Sequence, residues 1–312
     1  MPCVFAIGGP LLLAVCLDVL LGEPPNRWHP VAWMGTFISV IQRWAPKRGQ
    51  WQRLAFGAGI VLSGVAVVVV LGVLLERVLW YVPWPLAWLV KAGVLKLTLS
   101  LRGLVQAAGE VQQALEHDDL PLARRLVGWH LVSRETSRLS GAQVAAAAVE
   151  SVGENASDGI VAPLLFYTLG GLPAALAYRF INTADAMLGY RDPVRFWLGK
   201  VPARLDDLAN LVPARLTAVL IVLAALLLGE NTRQAWTVWY RDAQLTASPN
   251  AGHPMSAMAG ALQVALEKVG HYRLGAGQPL PEAGHIARAT HLLYGVTALA
   301  VAVLAGVILL WC

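Results

Sequence analysis

Long apolar segments restrict this chain to very few kinds of fold. A helix that crosses a bilayer needs about 20 predominantly apolar residues. Five segments of that order are present: 3–21, 54–75, 84–101, 211–228 and 291–311. Inside hydrocarbon a backbone must satisfy its own hydrogen bonds, as helices do. The sequence therefore predicts an all-α, polytopic integral membrane protein with about five membrane segments, organised as one domain over residues 1–312.

A sixth apolar segment, 160–177, is interrupted by Pro163, Pro173 and a Gly-Gly pair. Because these residues break helices, the segment is predicted to be broken and re-entrant, with its backbone covered by protein. If it crosses the membrane instead, residues 179–204 lie on the side opposite to the other polar segments; if it is re-entrant, residues 230–290 do. Each of these two stretches carries five Lys or Arg residues, so positive charge does not decide their sidedness.

The composition excludes several classes of protein. Hydrophobic residues make up 57% of the chain and charged residues only 14%, whereas soluble domains carry about 25% charged residues. The net charge of +5 is attributed to basic cytoplasmic loops, since no run of Lys and Arg interleaved with aromatic residues indicates nucleic-acid binding. Cys3, Cys16 and Cys312 lack the spacing and the histidine partners of a zinc site or a disulfide framework.

Residues 102–149 depart from the apolar pattern. Their apolar residues recur every three or four positions with charges between them, which is typical of amphipathic helices. Asp118 and Asp119 are predicted to cap a helix that has Pro121 in its first turn. A third helix, starting at S-R-E-T, is predicted to run directly into Glu150. This stretch is predicted to be a cytoplasmic helical insert within the membrane domain.

Polar residues are concentrated in residues 150–215, between segments that are almost entirely hydrocarbon. This region holds seven of the 19 acidic residues of the chain. Ionisable groups are costly beside or within a membrane, and by default they mark a functional site. The acids are Glu150, Glu154, Asp158, Asp185, Asp192, Asp206 and Asp207, and the residues among them include Asn155, Asn182, Asn210, Arg191, Lys200, Arg204 and Arg215.

The spacing of the first three acids allows two arrangements. Glu150, Glu154 and Asp158 would form one stripe on a continuous helix; alternatively, Gly153 and Gly159 end the helix and Asp158 lines a loop. Adjacent carboxylates repel one another unless a cation lies among them, and Mg²⁺ typically takes one or two carboxylates together with phosphate oxygens. The candidate metal ligands are Glu154, Asp158, Asp185, Asp206 and Asp207. The competing interpretation is that the acids form ion pairs with nearby arginines.

Basic residues in the same region fit a phosphate-containing substrate. Arginine binds phosphate bidentately, and Lys200, Arg204 and Arg215 are candidates for such contacts. The spacing from Asn182 to Asp192 is similar to that of carboxylate motifs in Mg²⁺-dependent membrane prenyltransferases. Neither G-x-x-x-x-G-K-[ST] nor G-x-G-x-x-G is present, so a nucleotide would bind without the usual phosphate loops.

Three kinds of function are compatible with these groups. An enzyme would gather them on one face of the membrane. A transporter would bury them at mid-membrane along broken helices. A sensor or assembly protein would use its surfaces and would not need the acids.

Five motifs in a fixed order resemble a known family. They are D-V-L-L-G-E-P-P-N-R-W-H-P-V-A-W-M-G from Asp18, E-S-V-G-E-N-A-S-D-G-I-V-A-P-L from Glu150, N-T-A-D-A-M-L-G-Y from Asn182, R-L-D-D-L-A-N-L-V-P-A-R-L from Arg204 and S-P-N-A-G-H-P-M-S-A-M-A-G-A-L from Ser248. On these motifs the chain resembles, over nearly its whole length, the adenosylcobinamide-phosphate synthases of cobalamin biosynthesis, the CobD/CbiB proteins. It departs from the family pattern at Thr36, Gly153, Ala186 and His253, and none of these departures removes an acid.

The resemblance implies an ATP- and Mg²⁺-dependent amide ligase in the inner (cytoplasmic) membrane. Such an enzyme joins a carboxylate of adenosylcobyric acid to the amine of aminopropanol phosphate, or of aminopropanol, to give adenosylcobinamide phosphate. The resemblance implies catalytic roles for Glu150, Glu154, Asp158 and Asp185, and cofactor contacts from Asn155, Asn182, Lys200, Arg204, Asn210 and Arg215. His29 and residues 248–253 are further candidates for substrate contacts. Partners implied are the lipid bilayer and later membrane enzymes of the pathway.

Two other functions stay open beside the ligase: a Mg²⁺-dependent, prenyltransferase-like membrane enzyme and a non-enzymatic relative in membrane signalling. The ligase hypothesis requires that Glu154, Asp185 and Asp207 converge, in the folded protein, into one water-accessible pocket on the cytosolic face.

Overall fold

The computed structural model describes residues 3–190 and 195–311, with side chains for residues 7–190 and 195–310. The helices are α1 (Cys3–Leu21), α2 (Pro30–Gln42), α3 (Gln50–Leu79), α4 (Trp84–Lys96), α5 (Leu101–Glu116), α6 (Leu120–His130), α7 (Gly141–Ala156), α8 (Ala162–Leu188), α9 (Phe196–Ala209), α10 (Leu211–Leu227), α11 (Thr232–Asp242), α12 (Gly252–Leu262) and α13 (Ala283–Trp311). One 3₁₀ turn, Asn26–Trp28, precedes α2, and one π-helical turn, Ser157–Val161, joins α7 to α8. Two short strands, β1 (Leu266–Lys268) and β2 (Tyr272–Leu274), form an antiparallel hairpin. Of the predicted residues, Arg191 and Asp192 lie outside the described residues, as do the side chains of Cys3 and Cys312.

The prediction of an all-α, polytopic membrane protein is confirmed. Among the described residues, four helical stretches are long and apolar enough to cross a membrane, namely Gln50–Leu79, Trp84–Glu116, Gly141–Leu188 and Ala283–Leu310. Helices α9 and α10 follow each other after a short break and count as a fifth only if the pair is one span. The predicted first segment forms α1, in which Ile7–Leu21 is a shorter apolar helix.

The chain divides into two compact units. The first consists of residues 1–100, 162–210 and 303–312, and the second of residues 101–161 and 211–302. The predicted insert, 102–149, lies within the second unit and forms α5, α6 and part of α7. That it is cytoplasmic, and that the chain behaves as one domain, stay predictions.

In the first unit, α3 packs against α8 and α9, and α1 packs against α4. Glycines on α3 allow this close approach. A Cβ atom on Gly57 would lie 1.9 Å from the carbonyl oxygen of Leu198, and one on Gly64 would lie 1.9 Å from the ring of Phe180. Small residues at helix contacts are typical of membrane proteins, where backbones must approach closely to gain packing. The contact holds α9, with the acids it carries, beside α3.

Helix α8 is broken where the sequence predicts an interruption. Gly170 and Gly171 leave the helical conformation, and Gly171 has a φ of +65°, which only glycine adopts without strain. The helix restarts with Pro173 in its first turn, where a missing N–H does no harm. The Glu76 carboxylate of α3 accepts a hydrogen bond from the backbone N–H of Leu172 at 2.9 Å. Glu76 therefore caps the second half of α8; whether the segment is re-entrant stays a prediction.

In the second unit, α12 contacts α7, α10 and α11. A Cβ atom on Gly260 would lie 2.2 Å from the carbonyl oxygen of Gln234, and one on Gly252 would lie 2.1 Å from that of Ala243. The small residues of this helix therefore serve close helix packing. Asp242, at the end of α11, accepts a 2.7 Å hydrogen bond from a backbone N–H that follows β2, and so ties the hairpin to α11.

The predicted cap of α6 is confirmed. Asp119 Oδ1 accepts a hydrogen bond from the backbone N–H of Leu122 at 3.0 Å, with Pro121 in the first turn. A side-chain oxygen at this position satisfies one of the donors that a helix start leaves without an intrahelical partner.

The predicted start of the third helix of the insert is wrong. Helix α7 begins at Gly141, where Ser140 and Gln143 form a reciprocal capping box. The preceding S-R-E-T stretch is a loop because its side chains bond elsewhere. Thr136 Oγ1 donates to the carbonyl oxygen of Arg124 at 2.8 Å, so this tertiary contact overrides the local helix pattern.

Candidate functional site

A carboxylate held by two amides lies between α8 and α9 in the first unit. Asp206 accepts a hydrogen bond from Asn182 Nδ2 at 3.2 Å and another from Asn210 Nδ2 at 3.0 Å. Asn210 is buried, and its Oδ1 accepts a hydrogen bond from the Tyr178 hydroxyl at 2.9 Å. Three of the predicted site residues are thus brought together. Tyr178 was not predicted, because its partner lies 32 residues away on another helix.

Helical spacing and one glycine explain this network. Tyr178 and Asn182 are four residues apart on α8, and Asp206 and Asn210 are four apart on α9, so each pair lies on one face. Gly199 brings the two helices together, since a Cβ atom there would lie 1.9 Å from the carbonyl oxygen of Leu188. The network therefore depends on backbone contact as well as on the four polar side chains.

Asp185 follows Asn182 by one helical turn, and its carboxylate lies beside Gly189 at the end of α8. The backbone N–H of Gly189 donates to the Asp185 carbonyl oxygen at 2.7 Å. A Cβ atom on Gly189 would lie 2.0 Å from Asp185 Oδ1. The glycine of the N-T-A-D-A-M-L-G motif therefore leaves the space that the carboxylate occupies.

The basic residues of α9 have neighbours of their own. Arg204 forms an ion pair with Asp207 at 3.6 Å, and its side chain is 76% exposed. Such surface pairs contribute little to stability. Lys200 Nζ lies 4.5 Å from the centroid of the Trp197 ring, a cation–π contact. Both cations thus lie on the same helix as Asp206, and Arg204 is accessible to a ligand.

Lys96, which lies in the predicted segment 84–101, is buried. The residue is only 7% exposed and its ammonium group donates to the carbonyl oxygen of Gly22. Asp18, at the end of α1, is fully buried. Two ionisable residues of opposite sign within apolar segments were the available signal.

The charges of Lys96 and Asp18 act on the nearby His29. Its Nδ1 accepts a 3.2 Å hydrogen bond from the Val31 N–H at the start of α2. Burial lowers the pKa of His29, and the positive charges of Arg179 and Lys96 lower it further, against the opposing effect of Asp18. A neutral His29 therefore stays a helix cap and an acceptor.

In the second unit, Glu150 forms the ion pair that the competing interpretation predicts. Arg134 Nη2 donates to Glu150 Oε2 at 2.8 Å, with the Glu150 side chain only 5% exposed. Arg134 lies in the loop before α7, so the pair fixes that loop to the helix. Ser151 adds a second tie, its hydroxyl donating to the Leu131 carbonyl oxygen at 3.0 Å.

The stripe arrangement of the first acids is confirmed in part. Glu150 and Glu154 lie on the continuous helix α7, so the alternative of a helix end at Gly153 is wrong. Asp158 lies in the π-helical turn, which shifts it out of the regular α-helical register. Burial raises the pKa of Tyr272 in β2, and the charges of Glu150 and Glu154 raise it further.

Asn155 and Arg215 each form hydrogen bonds with neighbouring groups of the second unit. Asn155 Nδ2 donates to the Ser151 carbonyl oxygen at 2.9 Å. Arg215 Nη1 donates to Oδ1 of the buried Asn250 at 3.0 Å. The loop around Asn250 is organised by Ser248, whose hydroxyl oxygen accepts from the Asn250 N–H at 3.2 Å.

His253 follows this loop and is held in one tautomer. Trp239 Nε1 donates to His253 Nδ1 at 2.9 Å, so in the neutral ring the proton is on Nε2. Burial and the positive charge of Arg215 lower the pKa of His253. Protonation at Nδ1 would also place two donors against each other.

Acidification is expected to destabilise the second unit through His253. The folded-state pKa lies below the unfolded value of about 6.5. The contribution of neutral His253 is therefore complete above that value and is lost as the pH falls toward the folded pKa. We expect the melting temperature of the wild-type protein in detergent to fall more between about pH 7.5 and pH 5.5 than that of His253→Phe, which cannot titrate. Equal falls in the two proteins would contradict this assignment.

The predicted ligands of a metal are divided between the units. Glu154 and Asp158 belong to the second, and Asp185, Asp206 and Asp207 to the first. Within the described part of the chain, no three His, Cys, Asp or Glu side chains gather as a metal-holding group. Mg²⁺ commonly takes only one or two carboxylates, completed by substrate phosphates and water. Asp206, oriented by two amide donors, fits that chemistry. The convergence of all five acids stays a prediction.

Several known proteins that are similar to this chain are named as cobalamin biosynthesis proteins. A family model described as "CobD/Cbib protein" matches residues 11–303. The cobalamin biosynthesis protein CobD of Dehalococcoides mccartyi is 42% identical over 276 residues, covering 85% of each chain. The probable cobalamin biosynthesis protein CobD of Methanothermobacter thermautotrophicus is 44% identical over 270 residues, 85% of this chain and 86% of its own. The CobD of Klebsiella pneumoniae is 41% identical over 268 residues, 82% of each. No solved structure matches the chain. On this evidence the chain belongs to the CobD/CbiB family of cobalamin biosynthesis proteins.

Proposed function

We propose that this protein is an adenosylcobinamide-phosphate synthase that couples ATP hydrolysis to amide formation in the membrane. The carboxylate of adenosylcobyric acid would be activated as an acyl phosphate by transfer of the γ-phosphoryl group of ATP. The amine of aminopropanol phosphate, or of aminopropanol, would then attack the acyl carbon, and phosphate would leave. Family membership and the presence of an oriented carboxylate near basic residues support the proposal.

The observation that carries the proposal is the position of Asp206 between Asn182 and Asn210. Two amide donors fix the direction of the carboxylate. A fixed carboxylate of this kind can accept the proton that an attacking ammonium must lose. Bound Mg²⁺ would neutralise charge on the phosphates of ATP. Asp185 and Asp207, which belong to the same unit as Asp206, are the candidates for holding that Mg²⁺.

The test is a coupling assay with purified, detergent-solubilised protein. We expect adenosylcobinamide phosphate to form from adenosylcobyric acid and aminopropanol phosphate, with release of ADP and phosphate in equal amounts. Omitting ATP or Mg²⁺ is expected to stop the reaction. Product formation without ATP, or turnover of a prenyl diphosphate in its place, would contradict the proposal. Substituting aminopropanol in the same assay identifies the amine donor.

A methyl group at Gly189 is expected to slow this reaction. In Gly189→Ala the new Cβ would displace the Asp185 carboxylate, because the two atoms would otherwise lie 2.0 Å apart. A displacement of about 1 Å at a reacting group can cost about 10²-fold in rate, and we expect a loss of that order in the coupling rate. Gly59→Ala is the matched control, since a Cβ there has nothing within 4 Å. Equal coupling rates in the two variants would show that the position of the Asp185 carboxylate does not matter for the reaction.

A further inference from the structure

A separate pocket in the first unit lies where α3 ends and the chain turns into α4. Its volume is about 880 Å³. It is lined by the last two turns of α3, by the turn Trp80–Val82 and by Lys91 of α4. Helix α3 packs against α8 and α9, whereas α4 packs mainly against α1, so the two helices leave open space between them. None of the predicted site residues lines this pocket.

The charged residues of the pocket leave a net positive charge. Glu76 is engaged, because its carboxylate accepts the Leu172 N–H at 2.9 Å and caps the second half of α8. Arg77 is exposed and Lys91 is half-buried, and neither forms an ion pair with any described residue. Two cations in a pocket with one committed acid attract an anion.

The remaining lining is apolar and aromatic. Val73, Val78 and Val82 form the walls. Trp80 and Tyr81 are 86% and 87% exposed, and such side chains gather at the level of lipid headgroups. Inorganic phosphate would gain nothing from the valine walls, and a nucleotide would use the aromatic rings but leave the valines uncovered. An anionic lipid uses both parts, the headgroup against the cations and the acyl chains along the valines.

We propose that this pocket binds one anionic phospholipid, with its phosphate between Arg77 and Lys91. The proposal is independent of the ligase reaction, because it uses no residue of the candidate site. It gives Lys91, a cation within the predicted segment 84–101, the role of a headgroup ligand.

Native mass spectrometry of the intact protein tests the proposal. The protein is reconstituted into vesicles of equimolar phosphatidylglycerol and phosphatidylethanolamine, re-extracted in mild detergent, and its retained lipids are counted. We expect one phosphatidylglycerol to be retained in preference to phosphatidylethanolamine. Charged side chains near the membrane surface each favour anionic lipid, so the double variant Arg77→Gln, Lys91→Gln is expected to lower this retention by about tenfold.

The control is Arg43→Gln, Lys47→Gln, which removes the same charge from the exposed loop after α2. We expect it to retain the lipid as the wild-type protein does. Arg77→Lys, Lys91→Arg keeps the charges and should also retain it, while melting temperatures verify that every variant is folded. Equal losses in the two charge-removing variants would reduce the effect to general attraction and overturn the proposal. Preferential retention of phosphatidylethanolamine would also overturn the proposal, and so would a dimer that holds no lipid.

Discussion

Asp206→Ala is expected to lower the ATP-dependent coupling rate by about 10²–10⁴-fold, the range usual for loss of a positioned acid or base. The carboxylate is the acceptor for both Asn182 and Asn210. Truncation removes the group and leaves two amide donors without their acceptor. Leaving such donors unsatisfied costs about 1–3 kcal/mol each when they are buried, so the melting temperature should fall as well.

Asp206→Asn separates the loss of chemistry from the loss of stability. The asparagine has the same shape but presents one donor and one acceptor, so one of the two amide contacts is lost while the packing is kept. We expect its melting temperature to fall less than that of the alanine variant, because only one amide donor loses its acceptor, and its coupling rate to be as low as that of the alanine variant. Leu208→Ala, on the same helix and 66% exposed in the wild type, is the control. If Asp206→Asn retained more than about a tenth of the rate, Asp206 would be neither base nor ligand.

Arg134→Ala is expected to destabilise the second unit by about 3–5 kcal/mol, the usual result of removing one partner of a buried ion pair. The Glu150 side chain is 5% exposed and would lose the guanidinium that compensates its buried carboxylate. The loop before α7 would lose its tie to the helix at the same time. Because the Arg134 side chain is itself 20% exposed, we expect a value near the lower end. Denaturant unfolding in detergent, followed by circular dichroism, measures the change.

A double variant identifies the cause of that loss. In Arg134→Ala, Glu150→Gln the buried charge is gone, so part of the lost stability should return. Arg138→Ala removes an exposed arginine from the same loop and is expected to change little. Equal destabilisation by Arg134→Ala and Arg138→Ala would show that the ion pair does not hold this loop.

Features that depend on local sequence were the ones that could be predicted. The apolar segments, the cap at Asp119 and the break at Gly170–Gly171 follow from composition and from the backbone preferences of single residues. The start of α7 was misplaced, because S-R-E-T reads as helical while Thr136 bonds to Arg124 in tertiary structure. Local propensity is routinely overridden in this way.

The candidate site was predictable in its residue types but not in its contacts. The spacing of Asp206 and Asn210 places them on one helical face, yet nothing in the sequence pairs them with Asn182 or Tyr178 on α8. The burial of Lys96 was not predictable for the same reason, since its partner is a carbonyl 74 residues away. The ion pair between Glu150 and Arg134 could not be predicted, because Arg134 lies in a loop that the sequence predicts to be helical.

The interruption of α8 has a consequence for how the chain enters a membrane. The second half, residues 172–188, is about 25 Å long, somewhat less than the bilayer core of about 30 Å. Its first amide is bound by Glu76 of α3, 96 residues earlier in the chain. Because α3 is synthesised before α8, the acceptor for this amide is already present when the half-helix emerges, and the amide is not left unsatisfied within the membrane.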